Sequence, residues 1–206
     1  MVPSLRSARL NAGVGRLKAM TRFLALLLVC LPALAAEPVA PEIDVFVVIG
    51  KTKVRLSVDH RFSDVAGALP KAGRMPITDS HELSHDARTY CYTFGDELLT
   101  FHDSDFGVHT AEMAVSPSTA NMSCTALKVR PEFEVAGKRF SLNAKHLPKL
   151  TTFTSKQEQH MVVLERSWTY KIDESNCSSR SVSVKGMRGQ GGFSQITVTN
   201  WEEPGC

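Results

Sequence analysis

The chain has 206 residues, 43% of them hydrophobic, with 24 Lys+Arg against 21 Asp+Glu. Its five basic residues Arg6, Arg9, Arg16, Lys18 and Arg22 stand ahead of an apolar run, and without residues 1–35 the balance becomes 19 basic against 21 acidic. That near-neutral remainder excludes nucleic-acid or anionic-membrane binding driven by bulk charge.

Phe23 to Leu31, FLALLLVCL, follows Arg22 and ends at Pro32 and Ala33-Leu34-Ala35. Basic residues, a short apolar run and a small-x-small site make a secretory signal, and the run is too short to cross a bilayer. We expect residues 1–35 to be cleaved, with Met20 as an alternative start. Residues 36–206 are then a single secreted, periplasmic domain without a stable membrane anchor. Division into two small β-rich units, about 43–150 and 151–206, is the alternative. A lipoprotein reading at Cys30 fails because bulky Val29 precedes it.

The remaining cysteines are Cys91, Cys124, Cys177 and Cys206. An even number in an oxidising compartment predicts two disulfides; of the three possible connectivities the favoured one is sequence-local, Cys91–Cys124 with Cys177–Cys206. A four-cysteine zinc site would need close C-x-x-C pairs, which the chain lacks.

Ile43 to Ile49, IDVFVVI, and the alternating Val54, Leu56 and Val58 predict two strands joined across Gly50-Lys51. Ser63 to Leu69 predicts one short helical turn capped by Ser63 or Asp64. From Arg88 the pattern is strand-like. Thr89–Phe94 and Leu98–His102 flank a Gly95-Asp96 turn, and Val108–Val115 forms a third strand. Ser116 to Ser123 reads as loop. Phe133–Val135 and Phe140–Leu142 flank the turn Ala136-Gly137-Lys138. Ser155 to Glu165 predicts a helix with Ser155 as N-cap and Glu158 at capping-box spacing. Its apolar residues, Met161 to Leu164, are consecutive rather than spaced, which keeps a strand as the alternative. Trp168–Ile172, Val182–Val184 and Phe193–Trp201 complete the strands. The connecting GMRGQGG lacks the GK[ST] ending of a phosphate loop and reads as a hairpin tip. The fold class is therefore α+β, mostly antiparallel sheet with one or two short helices. The helix-then-meander order of the second half resembles that of secreted inhibitor domains of the β-lactamase-inhibitor kind.

Asp79 to Phe94 contains HELSH, a match to the H-E-x-x-H of zinc hydrolases. There two imidazoles on one helix face bind zinc and the glutamate activates a bound water. His81, Glu82 and His85 supply those groups. Pro76 and the polar Ser80, Ser84 and Asp86 make a poor helix, however. The extended pattern would need glycine where Arg88 stands and histidine where Cys91 stands. A wider metal cluster would join His81 and His85 to His102 and His109, which bracket Asp103 and Asp105. The turn HDSDFG is no EF-hand, because Gly107 takes a ligand position and Val108 the required glycine. There is no G-x-S-x-G, and pairing of all four cysteines leaves no thiol nucleophile. The sequons at Asn121 and Asn176 bear on function only in a eukaryotic host.

Aromatics alternate along two stretches, with Tyr90, Tyr92, Phe94 and Phe101 in one and Trp168, Tyr170, Phe193 and Trp201 in the other. Tyr90, Tyr92, Trp168 and Trp201 are the candidate binding residues, since outward aromatic rows anchor protein partners. The expected function is an exported binding protein, of inhibitor or immunity type, that engages another protein of the cell envelope without a cofactor. A zinc hydrolase built on HELSH is the rival, with zinc as its cofactor. An envelope structural or assembly accessory is the third reading.

Overall fold

Short apolar runs joined by two-residue turns leave little room for helix, and the computed structural model is almost entirely strand. It describes residues 42–67, 69–75, 88–116, 123–171 and 177–204. In chain order the elements are β1 (Val45–Ile49), β2 (Thr52–Arg55), the helix α1 (Phe62–Val65), β3 (Gly73–Met75), β4 (Arg88–Phe94), β5 (Glu97–Ser104) and β6 (Gly107–Val115). They continue with β7 (Thr125–Ala126), β8 (Pro131–Val135), β9 (Lys138–Phe140), β10 (Thr154–Glu158), β11 (Met161–Lys171), β12 (Cys177–Gly189) and β13 (Gly192–Pro204). Among the described residues no helix is long and apolar enough to cross a membrane.

Two sheets form. The small one has the order β2-β1-β8-β9. The nine-stranded one runs β10-β11-β12-β13-β6-β5-β4-β3, with β7 added parallel to β4 beside β3. It is thus two antiparallel meanders joined where β13 pairs with β6, Thr197 opposite Glu112. Six of its and the small sheet's hairpins close through two-residue turns, at 50–51, 95–96, 105–106, 136–137, 159–160 and 190–191. Ala136 and Gly137 both have positive φ, as in the type I′ turn that matches the right-handed twist of the strands it joins.

The sheets share one core. Val45, Val47, Leu56, Phe133 and Val135 meet Tyr92, Leu99, Phe101, Met113, Val184, Ile196 and Val198, all fully or almost fully buried. Each such side chain contributes roughly 1.5–3 kcal/mol on leaving water. The opposite face of the large sheet is polar: Thr110 bonds Thr199 (3.3 Å) and Thr197 donates to Glu112 (3.2 Å). On the small sheet's outer face Glu134 accepts from Lys53 Nζ (2.6 Å) and Arg139 Nε (2.8 Å).

Two bulges reset the alternation. On β6, His102 faces Thr110 while Asp103 faces Val108, so His109 is the extra residue. On β13, Met187 faces Gln195 while Arg188 faces Phe193, so Ser194 is extra. Val108 and Phe193 are odd against their neighbours in phase, and each slip turns them into the core.

The helix expected over Ser155–Glu165 is not formed. The segment is the β10–β11 hairpin, with Ser155 opposite Leu164 and Lys156 opposite Val163. Four consecutive apolar residues cannot share one helix face, whereas a strand lays them on both faces of a sheet. The helix-then-meander order fails with it. The one described helix begins at Phe62, with Arg61 at its N-cap and the Asp64 carboxylate accepting the Arg61 N–H (3.1 Å), not Ser63 or Asp64 as cap. GMRGQGG is mostly strand, its tip only residues 190–191.

Of the expected disulfides, Cys91–Cys124 is present among the described residues. It closes a separation of 33 residues, a loop whose closure contributes roughly 3–4 kcal/mol on the chain-entropy model. Cys177 is a disulfide cysteine, and its expected partner Cys206 lies outside the described residues.

Gly73 on β3 lies against this bridge. A Cβ there would stand 1.9 Å from the Ser123 carbonyl oxygen and 2.5 Å from Cys124 Cα, backbone atoms that cannot swing aside. Gly73→Ala is expected to destabilise by about 1–3 kcal/mol or more. Gly67→Ala, whose Cβ meets nothing within 4 Å, is expected to be neutral or mildly stabilising. Urea denaturation of both variants checks the contrast, and equal midpoints would refute it.

Candidate functional site

The β5–β6 hairpin carries the chemistry. Its turn, Asp105-Phe106, ends at Gly107, with φ +89°. A Cβ on Gly107 would stand 2.7 Å from the carbonyl oxygens of both Val58 and His60, so only glycine lets the hairpin seat on the 57–60 loop. Val108 then exchanges backbone bonds with that loop, its N–H to His60 O (2.8 Å) and its C=O from Ser57 N–H (2.9 Å).

The bulge places His109 with Thr110 on the polar face, beside His102. Together with Arg88, Thr89, Asp103 and Ser104 they line a cavity of about 280 Å³. His109 Nδ1 lies 3.1 Å from the Gly107 carbonyl oxygen. A carbonyl only accepts, so Nδ1 carries the proton and Nε2 keeps its lone pair. Burial lowers the pKa of both imidazoles; a nearby Glu112 opposes this at His102, and the Gly107 bond opposes it at His109. The lowering favours the neutral form of both.

Asp103 is 5% exposed. It accepts a bond from the Phe62 backbone N–H, and the Arg61 guanidinium stands 3.8 Å away. Its Oδ1 has no hydrogen-bond partner. Burial raises its pKa against these favourable neighbours. Arg61 also donates to the Ser104 carbonyl and pairs with Asp105 (3.7 Å).

An aromatic ridge borders the cavity. Phe106, 59% exposed, meets Trp201 edge-on at 5.6 Å, and Trp201 meets His109 at 4.7 Å. The Trp201 indole donates to Glu203 (3.2 Å).

Of the candidate metal ligands, the structure brings His102 and His109 to one cavity; His81 and His85 lie outside the described residues. Among the described residues no three His, Cys, Asp or Glu side chains gather closely enough to hold a metal ion. Of the candidate binding residues, Tyr92 is fully buried, its hydroxyl donating to Pro70 O (2.8 Å) and its pKa pushed up to about 12 by burial. It presents no surface. Tyr90 is half-buried, stacked on Phe62 (4.2 Å). Trp168 lies opposite Arg180 and Trp201 opposite Ser181, positions of unlike phase, so the two tryptophans occupy opposite faces of the sheet.

Sequence reasoning missed Phe106 as a surface anchor and a network on the core-side face beyond the small sheet. There Glu202 accepts from Arg180 (2.8 and 2.7 Å), Ser178 (2.9 Å) and Tyr170. Burial pushes the Glu202 carboxyl up, but the bonds from Tyr170, Arg180 and Ser178 outweigh it and hold it below the usual range. Arg180 also reaches Glu42 (3.4 Å) and Asp59 (3.8 Å) and covers the Tyr170 ring. Every member is partnered, as a structural clamp would be. Spacing alone would not have found it: 180 lies ten residues before the 190–191 turn and 202 eleven after it, and the two face each other only through the extra residue Ser194.

Folded His102 and His109 bind protons less tightly than the unfolded chain. Stability is therefore full above the ordinary value of 6.5 and is lost as pH falls through the lowered folded values. Asp103 and Glu97, raised by burial, act with the opposite sign. Unfolding free energy is expected to fall between pH 7.5 and 5.5, less steeply in His102→Gln. An unaltered slope in that variant would reject burial of His102 as a cause.

Comparison with protein-family models, curated proteins and solved structures finds no match for this chain.

Proposed function

We propose that the chain is an exported binding protein of inhibitor or immunity type, which docks on an enzyme or toxin of the cell envelope through the ridge Phe106–Trp201–His109. The carrying observation is that ridge: a phenylalanine 59% exposed at a two-residue turn, yet held by ring contacts to its neighbours. Aromatic anchors of this kind dominate binding energy, and those already ordered lose little entropy on docking. Export is supported by the leader-like residues 1–35 and by the Cys91–Cys124 disulfide, which persists in an oxidising compartment.

The test is capture from the envelope fraction of the host, comparing the purified oxidised protein with Phe106→Ala/Trp201→Ala. Val129→Ala, altering an exposed residue elsewhere (50% exposed), is the control. One stoichiometric, saturable partner is expected, bound in chelator, kept by the control and weakened at least tenfold in the double variant. A partner indifferent to the double variant, or released by chelator, refutes docking through the ridge.

The zinc reading keeps one observation in its favour. His102 and His109 share a cavity with Arg88, three residues after His85 in sequence. On this reading the dialysed protein retains about one zinc per chain, and His102→Gln/His109→Gln and His81→Ala/His85→Ala each abolish it. Zinc at background in the parent protein removes the reading.

A further inference from the structure

We propose that a second cavity, roofed by residues 146–153 and floored by the β10–β11 hairpin, binds a small organic carboxylate with an apolar body. Arg188 takes the head group. This inference does not rest on the docking role above.

The cavity measures about 370 Å³, within the range of ligand sites and room for roughly a dozen heavy atoms at about 30 Å³ each. Its lining is divided by chemistry. Leu150 of the roof and Leu164 of the floor are buried, and Phe153 and Val162 are half-buried beside them. His146 and Lys149 are exposed at the mouth. Among the described residues no aspartate or glutamate lines it.

Arg188 shares the core-side face of β12 with Val182 and Val184, and the β13 bulge puts Phe193 on the same face opposite it. The guanidinium lies over the Phe193 ring, 6.0 Å from its centroid, and the backbone N–H is spent on His160 O (2.7 Å). Its Nε is buried without a hydrogen-bond partner. None of the ion pairs among the described residues includes Arg188 or Lys149. A buried guanidinium donor without an acceptor costs free energy, and a carboxylate is the planar anion that a guanidinium fork fits. Recognition of the head alone would leave the half-buried Phe153 and Val162 facing water. An apolar body covers them, and the cavity volume limits that body to a short chain or a single ring rather than a two-chain lipid.

Octanoate supplies both halves of the ligand, octanol only the body and acetate only the head. Calorimetric titration of the purified oxidised protein is expected to give one saturable octanoate site, with octanol and acetate at least tenfold weaker. Arg188→Gln is expected to weaken octanoate at least tenfold. Because that substitution alters a half-buried residue, the Arg188 Nε–H resonance of the unaltered protein is the independent readout. It is expected to shift with octanoate and to stay in place with octanol. Equal affinity for octanoate and octanol, no saturable octanoate site, or an unmoved Nε–H resonance at saturating octanoate overturns the proposal.

Discussion

A strand turns each successive side chain to the opposite face, so a wide sheet keeps one apolar face only if every strand stays in phase. On this constraint the molecule depends. The large sheet must present Leu99, Phe101, Met113, Val184, Ile196 and Val198 together to bury them under the small sheet. Val108 and Phe193 break the phase, and a bulge at each corrects it. Both corrections leave a mark away from the core. The one at His109 brings a second imidazole beside His102 and under Trp201; the one at Ser194 sets Phe193 beside Arg188 at a cavity. The two candidate sites are consequences of keeping the core apolar.

The charges at the margins of that core are not equivalent. Glu97, 6% exposed, pairs with Arg130 at 3.0 Å, and Arg130 covers the Phe94 ring. Arg180 is answered by Glu202, which is itself held by Tyr170 and Ser178. A half-buried ion pair adds little net stability, but removing one partner leaves a costly lone charge, so such pairs fix geometry more than they stabilise. Asp103 stands between, with one backbone bond, a guanidinium at 3.8 Å and an orphan oxygen. Arg188 has no anionic partner among the described residues. Asp103 and Arg188, each with an unpartnered buried atom, line cavities, whereas Glu97 and Arg130, which also keep one each, line neither of the two described.

The hairpins were legible because their turns are short and their strands β-branched or aromatic: Gly50-Lys51 and Gly95-Asp96 fall where the sequence puts them. The expected Ala136-Gly137-Lys138 turn is only Ala136-Gly137, since Lys138 already opens β9 and that strand ends at Phe140. The two-sheet division was not, since which strands pair at long range, β1 with β8 and β6 with β13, leaves no local trace. The 155–165 segment misled because capping-box spacing at Ser155 and Glu158 is a local preference, and sheet pairing on both sides of Met161–Leu164 outweighed it. Part of the site was legible: His102 and His109 stand seven residues apart across a turn. Their convergence needed the bulge, and its only sequence trace is Val108 standing out of phase with Ala111 and Met113. Tyr92 and Trp201 show the limit of alternation. It says that residues share a face or do not, never which face is covered.

Position explains why the ridge suits recognition. Phe106 projects from a turn, where a side chain is ordinarily free to move and would lose entropy on being held. Here the turn is pinned from below by Val108 bonded to Ser57 and His60, and from the side by Trp201. Trp201 in turn belongs to β13, the strand on which both meanders of the large sheet join. The most exposed aromatic group described is therefore coupled to the best-braced part of the fold. Burying it in a partner would gain apolar contact at small ordering cost, which is the condition under which a few residues give a specific interface.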